Sequence, residues 1–168
     1  LLKRKTNFLF KFRTFMNYFQ GIKIEDKFKI IISLGDESGI GPEIILKALS
    51  SKEIPASVEI LLIGSKINLE STYKNLKSLG VKNIADPKNY QIYDMQIPFD
   101  KMKQKKSYGN ASFLYLKKAI EIVQQYPNSA LVTCPICKKS WAMAGHYYSG
   151  QTELLAESCK AKNVGMLF

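Results

Sequence analysis

Apolar runs alternate with helical spacings along most of the chain. Phe28-Lys29-Ile30-Ile31-Ile32-Ser33-Leu34 is short, apolar and β-branched, and predicts a buried strand. Gly35-Asp36-Glu37-Ser38-Gly39-Ile40-Gly41 follows as a glycine-punctuated loop. Pro42 suits the first position of a helix, where its missing N–H costs nothing, and Glu43 complements the positive helix end. Ile44, Ile45, Leu46, Ala48 and Leu49 give that helix an apolar side. Val58 to Gly64 predicts a second buried strand. Asn68 to Leu79, with Leu69, Leu76 and Leu79 among polar residues, predicts a helix that stops at Gly80. Val81 to Lys106 shows no clear period and reads as irregular chain, with turn signals at Asp86-Pro87 and Ile97-Pro98.

Asn110 is placed to cap a strong helix, because Phe113, Leu116, Ile120 and Val123 follow at helical spacing up to Pro127-Asn128. Ser129 to Thr133 predicts a third strand. Trp141 to Ala144 and Thr152 to Lys160 predict two short helices before the apolar end Val164-Gly165-Met166-Leu167-Phe168. This alternation predicts an α/β domain with a mostly parallel, helix-covered sheet. The end reads as a strand without a polar tail, so the chain is expected to be truncated.

Composition narrows the picture. The chain has 168 residues, 46% of them hydrophobic, which is enough for one domain with a real core. Net charge is +11 and favours acidic or phosphorylated partners. Much of it is local: Lys3, Arg4, Lys5, Lys11, Arg13, Lys23 and Lys27 all precede the first strand. Residues 1–27 are basic and aromatic, with no bilayer-spanning run and no secretory signal. They are expected to be a poorly ordered extension outside the folded core, with the initial Leu1 expected to mark either a fragment or an unusual start. A basic nucleic-acid-binding module is an alternative supported by charge alone.

Cys134 and Cys137 form a C-x-x-C pair, which suits redox chemistry or half a zinc site. No second pair completes the zinc site, so two reduced thiols at a strand end are expected. The odd cysteine, Cys159, and the missing signal favour a cytoplasmic location. Three stretches remain as candidate chemistry. The loop from Gly35 to Glu43 lies between a strand and a helix, where glycines allow close ligand approach; it also reads as a tight turn. Lys138, past the end of the third strand, stands where α/β sheets bind ligands, or is simply solvated. In Gly145-His146-Tyr147-Tyr148-Ser149-Gly150-Gln151-Thr152-Glu153, the single histidine cannot assemble a metal site, and Thr152 also reads as a helix cap.

Taken together these stretches resemble the 4-hydroxythreonine-4-phosphate dehydrogenase family. Ile32 to Glu43 is similar to its L-G-D-P-A-G-I-G-P-E opening. Leu131 to Lys138 is similar to L-V-T-A-P-I-N-K, and Gly145 to Glu157 to G-H-x-Y-x-G-H-T-E-x-L-A-E. Gly109-Asn110-Ala111-Ser112 stands where the family starts a helix with small residues. Order and spacing agree from about Lys29 to Phe168.

The resemblance implies the isocitrate/isopropylmalate dehydrogenase-like architecture, here as the N-terminal α/β portion in residues 28–168, and a homodimer when complete. It implies oxidation of 4-phosphonooxy-threonine with NAD or NADP, then decarboxylation to 3-amino-2-oxopropyl phosphate in pyridoxal phosphate synthesis. A divalent metal (zinc, magnesium or cobalt) would polarise the alcohol, with ligands beyond residue 168. By position, Gln151 and Thr152 fall on the family's substrate-contacting His and Thr. Lys138, from its place past the third strand, is expected to meet a substrate phosphate or carboxylate, and Asp36, Gly39, Gly41 and Glu43 are expected to form a ligand-proximal loop. Gln151 for His, Glu37-Ser38 for Pro-Ala and Cys137 for Asn depart from the pattern. The Gln151 departure keeps open a non-catalytic relative or gene fragment, and the fragment alone is expected to be inactive. No nucleic-acid partner and no membrane span are expected.

Overall fold

A computed structural model describes residues 27–165. Four strands form one parallel sheet in the order β3-β2-β1-β4: β1 (Lys29–Ser33), β2 (Glu59–Gly64), β3 (Gln91–Asp94) and β4 (Ser129–Thr133). The registers run Lys29 beside Glu59 and Ser129, through Ser33 beside Ile63 and Thr133. Successive residues Ile31 and Ile32, and Leu61 and Leu62, are all buried, so both faces of the sheet are covered. That is why these strands read as continuous apolar runs.

Among the described residues there are five α-helices: α1 (Gly41–Ala48), α2 (Lys66–Ser78) and α3 (Gln104–Val123) connect the strands, and α4 (Lys138–Met143) and α5 (Gln151–Ser158) follow β4. Ser65 caps α2 by accepting from the Asn68 amide at 3.1 Å, and Gly80 takes the positive φ of 78° that ends it. Pro42 sits one place inside the first position expected, since α1 begins at Gly41.

The long α3 buries two faces. Ala111, Tyr115, Ala119 and Ile122 join the core formed with the sheet, α1 and α2. Phe113, Leu116 and Ile120 join a second core with Trp141 of α4 and Leu154 of α5. The spacing from Phe113 to Val123 revealed one of these faces.

Two expectations need correction, and a third is only partly within the described residues. The stretch read as irregular contains β3, whose four residues Gln91–Asp94 form one edge of the sheet. Only Ile92 is half-buried there, so the sequence carries little apolar signal. Helix α3 starts at Gln104, and Asn110 lies inside it rather than at its cap. Its exposed first turn with Lys105 and Lys106 carries no apolar period. The expected terminal strand falls mostly on residues 166–168, outside the described residues, while Val164 and Gly165 are in no strand. The basic extension likewise lies outside the described residues, except for Lys27.

Candidate functional site

From β1 the chain moves outward through β2 to β3, then returns across the sheet to β4 on the other side of β1. In open α/β sheets such a reversal opens a crevice beyond the carboxyl ends of the strands. The loops after β1 and β4 meet there. Cys134 N–H donates to the Ser33 carbonyl at 3.1 Å, and Asp36 N–H to the Pro135 carbonyl at 2.9 Å.

The glycines of the first loop serve this meeting. A Cβ on Gly35, whose φ is 71°, would lie 2.4 Å from the Pro135 carbonyl oxygen. One on Gly41 would lie 2.4 Å from the Leu34 carbonyl oxygen. The close approach expected toward a ligand is therefore made toward the chain's own backbone at these two positions. Gly39 is exposed, and a Cβ there would make an ordinary contact with the Asp36 carbonyl oxygen at 3.4 Å. Buried Asp36 turns back on the loop, accepting from the Ser38 amide at 2.9 Å and hydroxyl at 2.6 Å. Glu43 pairs with Lys47 one turn on, at 2.5 Å on the surface.

Lys138 opens α4 directly after the β4 loop and is exposed. The loop to α5 brings Gly150 beside it. A Cβ on Gly150 would lie 3.7 Å from Lys138 Nζ and 3.3 Å from Glu153 Oε2. Two neighbouring motifs thus meet, and a side chain at 150 would press on the Glu153 carboxylate while touching Lys138. Gln151 closes the connection: its Nε2 donates to the Cys134 carbonyl at 3.1 Å. A carbonyl only accepts, so this contact fixes the amide's orientation and leaves Oε1 buried without a partner. Thr152 follows, half-buried, in the first turn of α5.

Other groups nearby were not singled out by sequence. Tyr115 of α3 donates to Glu37 Oε1, and Asn68 of α2 donates to the Glu37 carbonyl at 3.4 Å. Burial pushes the Glu37 carboxyl above the usual carboxylate range, against the opposing hydrogen bond from Tyr115. Burial and the Glu37 contact raise the Tyr115 phenol. No aliphatic period marks this pair, and only Glu37 in place of the family's Pro gave a hint.

The thiols point to different partners. Burial pushes Cys134 up to about 11, and its Sγ lies 3.9 Å from the Gly41 carbonyl. The Ser140 hydroxyl draws the half-buried Cys137 thiol below its ordinary value, helped by the Ser140 and Lys139 amides. Cys134, Cys137 and Cys159 are free thiols.

Among the described residues no three His, Cys, Asp or Glu side chains converge into a metal-binding set. At Gly35 and Gly41 the space a dinucleotide would need is filled by backbone. Among the described residues no helix is long and apolar enough to cross a membrane.

Comparison with known proteins agrees with this arrangement. A family profile described as "Pyridoxal phosphate biosynthetic protein PdxA" matches residues 56–168. A 4-hydroxythreonine-4-phosphate dehydrogenase of Synechococcus sp. (strain JA-3-3Ab) is 38% identical over 145 residues, covering 83% of this chain and 42% of that protein. The enzyme of the same name from Nostoc sp. (strain PCC 7120) is 35% identical over 162 residues, covering 91% and 45%. The crystal structure of a 4-hydroxythreonine-4-phosphate dehydrogenase from Burkholderia phymatum shares the fold, with a TM-score of 0.65 at 23% identity, covering 81% of this chain and 44% of that one. The chain spans less than half the length of the curated relatives it matches.

Proposed function

Because the chain belongs to the PdxA family of pyridoxal phosphate biosynthetic proteins, we propose that it carries the phosphate-anchoring part of a dehydrogenase acting on 4-phosphonooxy-threonine. The observation that carries this reading is the convergence of Lys138 with Gly150–Glu153 beyond the carboxyl ends of β1 and β4. In the complete enzyme the substrate's secondary alcohol is oxidised and carbon dioxide leaves, giving 3-amino-2-oxopropyl phosphate. NAD or NADP, a divalent metal, a homodimer and a cytoplasmic setting belong to that complete enzyme.

Within this chain each residue has a limited task. Lys138 supplies a compact positive charge to the substrate phosphate, which an exposed ammonium can meet without losing much hydration. Thr152 offers a hydroxyl as donor or acceptor. Gln151 contributes a neutral amide whose donor is engaged by the Cys134 carbonyl. The loop bearing Asp36, Gly39, Gly41 and Glu43 forms the facing wall.

The test is substrate affinity, followed by calorimetry in the complete enzyme. Lys138→Ala removes a charge-assisted contact of roughly 1.5–3 kcal/mol, so affinity should fall at least tenfold. Thr152→Ala should weaken binding by a smaller factor. Wild-type affinity in both variants would remove these residues from the site.

A further inference from the structure

His146 is the only histidine in the chain, and the proposed function leaves it without a task. It lies in the loop between α4 and α5 that brings Gly150 beside Lys138 and leads into Gln151 and Thr152 at the start of α5. Along this loop Gly145, Tyr147 and Ser149 are exposed, while His146 and Tyr148 turn inward.

The inward contacts of His146 reach two helices. Its backbone N–H donates to the Trp141 carbonyl of α4 at 2.9 Å. Its ring stacks on Phe113 of α3 with centroids 3.7 Å apart and planes 8° apart. Nε2 then meets Asn110 Oδ1, one turn earlier on α3, at 3.1 Å. Since Oδ1 can only accept, Nε2 carries the proton. Burial, and after it the charge of Lys117, lowers the imidazole's proton affinity below its ordinary value. Tyr148 adds a looser contact, 5.8 Å from Phe113 and 6.4 Å from Trp141.

We propose that His146 is a positioning residue: its stack on Phe113 and its bond to Asn110 hold the α4–α5 loop so that Gly150 stays beside Lys138 and Gln151 and Thr152 follow it into the same site. This rests on the site reading above. Without the anchor the loop must be ordered when the ligand arrives, and the ordering entropy is subtracted from affinity.

The experiment titrates the 168-residue chain with 4-phosphonooxy-threonine and follows backbone amides and the imidazole Cε1–H by NMR. The single histidine makes that proton signal unambiguous. Binding should shift the Gln151 and Thr152 amides and also move the His146 signal, although His146 does not touch the ligand. A histidine that only packs would not respond. His146→Ala should weaken binding by about tenfold, the size of one lost ordering contact. His146→Phe, which keeps the stack, should recover part of that loss. If wild type binds and shifts Gln151 and Thr152 while the His146 signal stays still, and both variants bind equally well, the positioning role is overturned and the site stands. If wild type shows no shift at Lys138, Gln151 or Thr152, the site reading fails and takes this inference with it. Should His146→Ala fail to fold, the wild-type signal and His146→Phe decide.

Discussion

The most exposed test of the family resemblance lies in one side chain. The family resemblance implies a substrate-contacting histidine at the position of Gln151, and here the Gln151 amide spends a donor on the Cys134 carbonyl. Imidazole can keep that bond through one ring nitrogen and present the other to substrate, charged when protonated. A charge-assisted bond exceeds a neutral one by on the order of 1 kcal/mol, which is severalfold in a rate constant. Gln151→His should therefore raise kcat/KM severalfold in a chain completed with the C-terminal half its relatives carry. Unchanged kinetics in a folded, metal-loaded variant would place Gln151 outside the substrate's reach. Glu37 provides a second residue-scale test. Its folded carboxyl binds protons more tightly than an unfolded one, mainly through burial. A raised carboxyl stabilises the fold most below the ordinary Glu value, and that contribution is lost as pH rises through the folded value. Glu37→Gln keeps an acceptor for Tyr115 but carries no charge. Relative to wild type, its thermal midpoint should gain more at pH 7.5 than at pH 4.5. A gain that shrinks with pH would contradict the buried-charge account.

At the scale of elements, what the sequence revealed follows from how burial is distributed. β1 and β2 are covered on both faces, so Ile30–Ile32 and Leu61–Ile63 appear as unbroken apolar runs. β3 is an edge, and the Gln-Ile-Tyr-Asp run offers one half-buried apolar residue to read. The site was partly legible for a similar reason. Lys138 and Thr152 stand at element starts that strand and helix patterns locate, whereas their meeting depends on Gly150 and on the path of a loop. The backbone role of Gly109 was hidden altogether. A Cβ there would lie 2.0 Å from the Ser140 carbonyl oxygen, because α3 passes directly against α4. Ser112 completes this contact by accepting from Trp141 Nε1 at 2.9 Å. Gly109→Ala gains helix propensity but forces two backbones apart. Overpacking of this kind costs roughly 1–3 kcal/mol, or several degrees of thermal midpoint. A midpoint equal to or above wild type would show that α4 yields without strain.

On the scale of the whole molecule, the described residues supply a sheet, a crevice wall and a candidate phosphate anchor. They supply no metal-ligand set, and the chain spans less than half of its relatives. The isolated chain should therefore form no NADH above a blank with substrate, NAD and added zinc, magnesium or cobalt. Binding is a separate matter, because Lys138, Gln151 and Thr152 are all present. The central claim is that these residues recognise a phosphate, and one calorimetric titration tests it most directly. The chain is titrated with 4-phosphonooxy-threonine and, in parallel, with 4-hydroxythreonine lacking the phosphate. A phosphate held by an ammonium contributes roughly 1.5–3 kcal/mol, so the phosphorylated ligand should bind at least tenfold more tightly. That advantage should vanish in Lys138→Ala. Equal affinity for the two ligands, or a phosphate preference that survives Lys138→Ala, would contradict the account.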